Sequence, residues 1–349
     1  MTLQRHNDRR PSFFIRHWYL AALALASCLA PGCQRDAAPP PKEVVVYCSV
    51  DQDVAEPILA AFQKETGIQV RPLYDTEAVK TVGLAQRLRT EAAHPAADVF
   101  WSGEPFYTVR LAKEGLFVPW KPLGEPSTGN PSSTGRFWAA FALRARVIGY
   151  HTGRVKAEDA PERIEDLLNS KWKGRLVMAS PEAGTTGGHM AALFVIYGKE
   201  RAEAILKGLK ANEVRLVDGN AVAARMVGTG QADVCLVDSD DVYVAQRNHW
   251  PVAMKYCLHD GRGALVIPNA AALVGGGPHP EEAQRLLDYL RGPEVEKKLA
   301  ESDAHTMPLN AKVAAEFPAT VIPNCLPIDY DKVADALPEA IEAATRILR

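Results

Sequence analysis

The sequence predicts an α/β protein built from two successive strand–helix blocks. Short apolar runs rich in Val and Ile alternate with longer amphipathic runs from residue 44 onward. That alternation is the mark of largely parallel strands with helices packed on them. Near the middle, Phe137–Tyr150 is continuously apolar except for Arg144 and Arg146, and it reads as one or two strands leaving the first block. The length of 349 residues suits two domains of ordinary size. With 47% hydrophobic and 23% charged residues, there is ample material for a core. A formal charge of −2 lacks the basic excess of a nucleic-acid binder, so no nucleic-acid partner is expected.

Taken in order, the chain opens on a secretion signal. Met1–His17 carries Arg5, Arg9, Arg10 and Arg16, and Trp18–Ala26 is a short apolar run, too short for an ordinary membrane span. Leu25-Ala26-Ser27-Cys28 has the Leu-small-small-Cys pattern of a lipoprotein signal. Residues 1–27 are therefore expected to be removed and Cys28 acylated, with Cys33 the alternative. Residues 28–43 form a Pro-rich tether ending in DAAPPPKE, extended and semi-rigid. The expected location is the periplasm or the outer cell surface, with the membrane reached through a lipid anchor only.

Val44–Tyr47 is the first strand, Ala55–Thr66 a helix stopped by Gly67, and Ile68–Leu73 the second strand. A helix over Val79–Ala93 follows, then the strand Ala97–Trp101 and a helix opened by Pro105. In the second block, Arg175–Ala179 is a strand. Gly184–Gly188 (GTTGG) reads as a turn before a helix from about His189, and another helix covers Arg201–Ala211. Val214–Val217, helix Ala221–Val227 and strand Val234–Val237 come next, then candidate strands at Val252–Lys255 and Ala264–Ile267, broken by Pro268-Asn269. Helices Pro280–Leu290 and Pro293–Ser302, and a last one from about Leu337, complete the chain. Outside the cytoplasm the four cysteines Cys48, Cys235, Cys257 and Cys325 point to disulfides, with three pairings open.

The segment Gly230–Gln246 (GQADVCLVDSDDVYVAQ) draws attention to itself. A buried strand ends in three carboxylates and turns into a helix. One would cap the helix; three exceed that need, at a strand end where open α/β sheets place ligands. Asp238 and Ser239 are expected to cap. Four strand ends and helix starts are candidate site corners: Tyr47–Asp51, Trp101–Glu104, Gly184–Gly188 and Asp238–Tyr243. Arg144 and Arg146 share one strand face and are expected to pair with surface acids. Trp101 and Tyr107 are expected to pack, and His189 to be structural.

Six segments together carry a resemblance: VVVYCSVDQDVAEPILAAFQKETGIQV, ADVFWSGEPFYTVRLAKEGL, FALRARVIGY, DLLNSKWKGRLVMASPEAGTTGGH, VDGNAVAARMVGTGQADVCLVDSDD and LVIPNAAALVGGGPHPEEAQRLLDYLRGPEVEKKLA. In this order the chain resembles the extracellular solute-binding proteins of bacterial ABC importers, family 1, in the ferric-iron-binding-like branch with its phosphonate- and thiamine-binding neighbours. The resemblance implies a two-lobe type II periplasmic-binding-protein fold. Each lobe would be a mixed, mainly parallel sheet flanked by helices, with the ligand cleft between. Lobe 1 would comprise 42–141 plus 265–349, and lobe 2 142–264.

The resemblance implies capture of a small ligand by a monomer and its delivery to an ABC transporter permease, without catalytic residues or cofactor. Ferric iron or another hard metal ion is the expected cargo. The expected ligand residues are Tyr47, Ser49, Glu104, Thr185, Thr186, Asp240, Asp241 and Tyr243, with Glu104, Asp240, Asp241 and Tyr243 on the metal. Ferric-binding members carry a Glu where Glu104 stands. Their adjacent tyrosine pair falls at Asp240-Asp241 here, a departure, because carboxylate also suits Ca, Mg and Mn. The alternative ligand is an aminoalkylphosphonate or similar zwitterion, with ammonium at the acids and the anion at the Gly/Thr segment. The competing class is a metal-dependent hydrolase on the same fold. Against it, the chain has no GxSxG, HExxH or GxxxxGK[ST] motif.

Overall fold

The computed structural model describes residues 42–76, 80–121, 136–182 and 184–349. The expected signal peptide, Cys28, Cys33 and nearly all of the tether lie outside the described residues. No described helix is long and apolar enough to cross a membrane.

The first block runs β1 (Glu43–Cys48), α1 (Gln52–Thr66), β2 (Gln69–Tyr74), α2 (Val82–Thr90), β3 (Val99–Ser102), α3 (Pro105–Lys113) and β4 (Phe117–Val118). The long β5 (Ala139–His151) follows. The second block holds β6 (Leu176–Ala179), α4 (Gly184–Tyr197), α5 (Lys199–Ala211), β7 (Arg215–Val217), α6 (Asn220–Gly228), β8 (Val234–Asp238) and α7 (Ser239–Arg247). Strands β9 (Val252–Tyr256), β10 (Leu258–His259), β11 (Gly263–Ala264) and β12 (Val266–Val274) lead back to the first block. Helices α8 (Pro280–Leu290), α9 (Pro293–Glu301), α10 (Ala311–Glu316) and α11 (Tyr330–Leu348) end the chain.

The main sheet has the order β2-β1-β3-β12-β5-β8-β6-β7, with β4 on β12 and β9 on β5. Pairing is parallel in β2-β1-β3 and in β8-β6-β7. The two parallel halves meet through antiparallel β12 and β5. β5 pairs with β12 over Ala139–Ala145 and with β8 and β9 beyond Arg146. This is the mixed α/β architecture the sequence predicts.

Local sequence explains the elements. On α1, Ala55, Ile58, Leu59 and Phe62 form one buried stripe. Burial of each larger apolar side chain contributes about 1.5–3 kcal/mol. The helix stops at Gly67, whose φ of 71° lets its N–H reach back to Gln63 O at 2.9 Å. Helices α1, α8 and α9 supply one core layer, which includes Ile58, Phe62, Leu286 and Leu299. On another face, α11 packs against α4, α5 and α3, so the C-terminal helix covers parts of both blocks. Gly188 on α4 has no side chain to spare: a Cβ there would meet the Phe106 ring at 2.0 Å.

Four expectations need correction. Gly184–Gly188 is not a turn before a helix but the first part of α4 itself. Pro268-Asn269 does not break a strand, since β12 runs through both with a register shift; a bulge relieves the missing proline donor. The last helix begins at Tyr330, capped by Asp329, and passes through Pro338. All four cysteines are free. Cys48 and Cys235 are buried on different strands, Cys257 is buried, and Cys325 is exposed.

Candidate ligand-binding cleft

A cavity of about 180 Å³ lies where the carboxyl ends of the parallel strands of both halves converge. From the first half come Ser49 and Asp51 after β1, Lys80 and Thr81 before α2, and Gly103 and Glu104 after β3. The second half gives Ser180 and Glu182 after β6, Thr185 and Thr186 on α4, Asp218 and Asn220 after β7, and Asp238, Asp240 and Asp241 around the β8–α7 junction. Arg144 on β5 and Arg349 at the chain end complete the lining.

Glu104 is 1% exposed and caps α3. Its Oε2 accepts the Phe106 N–H at 2.6 Å and the Tyr107 N–H at 3.2 Å, and Oε1 accepts the Ser102 hydroxyl at 3.3 Å. Burial pushes this carboxyl up to about 7, against the pull of those donors. A file of hydroxyls leads to it: Thr81 donates to Ser49 at 3.1 Å, and Ser49 to Ser102 at 3.2 Å.

On the opposite wall Asp238 is saturated. Its Oδ1 accepts Arg146 Nη1 at 2.7 Å. Its Oδ2 accepts the Thr185 hydroxyl at 2.6 Å, Arg144 Nε at 3.2 Å and Asn220 Nδ2 at 3.3 Å. Burial alone would raise this carboxyl, but Arg146 and Arg144 beside it hold it below its ordinary value. Asp241 closes a capping box on α7 by accepting the Asp238 N–H at 3.0 Å. Burial, then the neighbouring Asp240 and Asp238, drive it well above the carboxylate range.

Asp240 differs from both. Its Oδ2 stands 3.5 Å from Arg144 Nε, while its Oδ1 is buried with no hydrogen-bond partner. Burial pushes Asp240 up to about 6, with Arg144 opposing and Asp238 and Asp51 adding to the rise. An unpartnered buried carboxylate oxygen is costly. Asp238, Asp240 and Asp241 each offer an oxygen within 4.8 Å of the others, a spacing that a hard cation accommodates.

Of the residues expected at the ligand, the cavity brings together Ser49, Glu104, Thr185, Thr186, Asp240 and Asp241. It does not bring in the two phenols. Tyr47 is buried, and its hydroxyl donates at 2.6 Å to Glu91, the residue that ends α2. Burial, then the Glu91 hydrogen bond, lifts it to about 12. Tyr243 lies against the His305 ring at 4.7 Å; two residues past Asp241, it points about 200° away around the helix. Thr185 faces the cavity, but its hydroxyl is committed to Asp238. Arg144 and Arg146, expected to pair with surface acids, instead neutralise the buried Asp238. Asp238 and Ser239 do occupy the helix start: Ser239 Oγ accepts the Ala145 N–H at 3.2 Å. Sequence reasoning missed Lys80, Thr81, Ser180, Glu182, Asp218, Asn220 and Arg349 as cavity residues. Arg349 pairs with Glu182, and nothing in the sequence around a chain end signals that.

Behind the cleft, Arg146 Nε donates to His189 Nδ1 at 3.3 Å. The proton of His189 is therefore on Nε2, which faces His259 Nε2 at 3.2 Å. Cys257 is close enough to complete a cluster with metal-ligand spacing. The tautomer that Arg146 imposes turns an N–H, not a lone pair, toward the cluster. The arrangement is that of a dry neutral pair: burial drives His189 well below its ordinary value and His259 down to about 4.

Comparison with known proteins bears on this geometry. The model of a family described as bacterial extracellular solute-binding protein matches residues 44–302. The chain is 26% identical over 319 residues to the major ferric iron-binding protein of Neisseria meningitidis serogroup B, covering 89% of this chain and 93% of that one. It is 27% identical over 249 residues to a putative 2-aminoethylphosphonate-binding periplasmic protein of Salmonella typhimurium, covering 69% and 70%. The crystal structure of iron-bound HitA from Pseudomonas aeruginosa superposes with a TM-score of 0.78 at 25% identity, covering 88% of this chain and 99% of that one.

Proposed function

The chain belongs to the bacterial extracellular solute-binding proteins, and from that premise we propose that it captures ferric iron, or another hard cation, at the Asp240–Asp241 corner for an ABC importer permease. The observation that carries this reading is the buried, unpartnered Oδ1 of Asp240 in a cavity wall. Hard cations take carboxylate oxygen, and the relatives named above include an iron binder of matching length. The protein works as an extracytoplasmic monomer held by a lipid on Cys28, or on Cys33. It is a binder: its cargo leaves chemically unchanged. The lobes divide at 141/142 and 264/265. Lobe closure would carry Glu104 and Ser49 toward the acids. With Tyr47 and Tyr243 outside the cavity, ferric iron would sit on carboxylates and an accompanying anion, without phenolate.

The mixed charge of the cavity favours a second reading. Arg144 and Lys80 line it together with Asp240 and Asp241, so it offers charges of both signs to a ligand. A 2-aminoethylphosphonate-like zwitterion satisfies both, and one relative carries that ligand in its name. A thermal-shift series on the metal-free protein separates the readings, using ferric citrate, Mn(II), Ca(II) and 2-aminoethylphosphonate. The true ligand at 100 times its dissociation constant adds about 2.7 kcal/mol. Stabilisation by ferric citrate without a visible phenolate charge-transfer band supports the first reading. A response to 2-aminoethylphosphonate alone replaces it with the second.

A further inference from the structure

Any change in the width of the cavity has to bend the strands that join its two walls. β5 and β12 join the parallel halves of the sheet, and their ladder is interrupted at one place. Pro268 pairs with Leu143 and Asn269 with Phe141, which leaves Ala142 without a partner on β12. Ala142 takes a φ of 47°, a left-handed conformation that alanine adopts only when its surroundings impose it.

The surroundings are specific. Glu296 on α9 is 1% exposed. Its Oε1 accepts the orphaned Ala142 N–H at 3.2 Å. The same carboxylate accepts the Leu309 N–H at 3.2 Å and the Asn310 N–H at 2.7 Å. Leu143 exchanges a pair of backbone hydrogen bonds with Met307, at 2.7 and 2.8 Å, and Asn269 Nδ2 reaches Ala142 O at 3.4 Å. One buried carboxylate thus ties the bulge to the 307–310 segment, and Glu296 is not among the residues lining the cavity.

We propose that Glu296 is the pin of the hinge, a positioning residue outside the cavity that sets how far its two walls stand apart. A helix-end carboxylate with only a local role would serve the N–H groups of its own neighbourhood. This one reaches across to the single left-handed residue of the crossing strand, at the point where the ladder has to flex. Loosening it lets the bulge sample other conformations, and the walls part more often. The pin acts on the empty protein, so it holds for either ligand.

The test is hydrogen–deuterium exchange on the ligand-free full chain, read by mass spectrometry. Glu296→Gln replaces one acceptor oxygen by a donor. Exchange should rise about tenfold at residues 139–145 and 307–310, consistent with one lost buried hydrogen bond. It should also rise at least threefold in both cavity walls, at 49–52 and 184–187. A rise confined to 139–145 and 293–312 would reduce Glu296 to a local structural cap and overturn the proposal. Ala142→Gly keeps the assay decisive even where Glu296→Gln fails to fold, because glycine accepts a positive φ freely and widens the range of bends. It should quicken exchange in both walls at nearly unchanged melting temperature; unchanged walls overturn the proposal. Ferric citrate release, followed by stopped flow, should be at least threefold faster in either variant. A chain that never binds ferric citrate refutes the ligand assignment and leaves the exchange result standing.

Discussion

The two walls of the cavity draw on the same chemistry and use it differently. On the first wall the buried acid, Glu104, is wholly occupied by the start of α3 and by a file of hydroxyls, and the exposed Asp51 is paired with Lys80. On the second wall three acids crowd one strand–helix junction. Two are occupied, Asp238 by arginines and a threonine, Asp241 by the α7 cap. The third, Asp240, retains an open oxygen. The first wall presents acids already satisfied within the protein, and the second holds a buried carboxylate oxygen with no partner.

Four experiments break or sharpen that contrast. The largest effect should come from Arg146→Met, which leaves the buried Asp238 with half its countercharge. Breaking a buried pair costs about 3–5 kcal/mol, and denaturant unfolding should show it; a loss under 1 kcal/mol would mean that Arg144 alone suffices. Asp240→Asn should come next, weakening cation binding about 100-fold, or ~2.7 kcal/mol, with stability unchanged or improved, because the amide removes the repulsion from Asp238 and Asp51 and the cost of burying the charge. Calorimetric titration with ferric citrate checks it, and an unchanged affinity would move the site elsewhere. Glu104→Gln should be milder, about 1 kcal/mol of stability through the weakened α3 cap, with affinity changed less than in the Asp240 variant. If it abolishes binding, the first wall is a ligand wall after all.

The smallest effect is in the pH dependence, where the walls should slope oppositely. Glu104 has its folded value raised to about 7. Its contribution to stability is present below the ordinary carboxylate range and fades as pH rises toward 7. Asp238 is held below its ordinary value, so its contribution is present at neutral pH and is lost as pH falls through that lowered value. Melting temperatures of Glu104→Gln and the parent between pH 4 and 8 should diverge with the first sign. Cation affinity should also fall as pH drops below about 6, where Asp240 takes up its proton.

Much of the fold is legible because parallel strands buried on both faces read as unbroken apolar runs, such as Val234–Val237. Strand ends are legible for the same reason, and Glu104, Asp240 and Asp241 were found there. What is illegible depends on direction and distance. Strand alternation puts Arg144 and Arg146 on one face but cannot say that Asp238 lies opposite. Tyr47 and Tyr243 sit beside site residues in sequence while pleat and helical turn aim them elsewhere. Gly184–Gly188 has low intrinsic helicity; α4 starts there because its glycines let Phe106 and Pro181 approach closely. The four described cysteines are free, and Cys48 and Cys235 stand on β1 and β8, which the sheet order keeps apart.

The C-terminal helix has a consequence for the order of events in synthesis. α11 packs on α3 from the first block and on α4 and α5 from the second, and β12 fills the gap between β3 and β5. Neither block can be finished while the ribosome is still adding the last turns. Contacts between residues more than 200 positions apart, such as the Lys113–Asp335 pair, must wait for the whole thread, and folding dominated by such contacts is slow. For a chain proposed to work outside the cytoplasm, such late completion would keep it threadable until export.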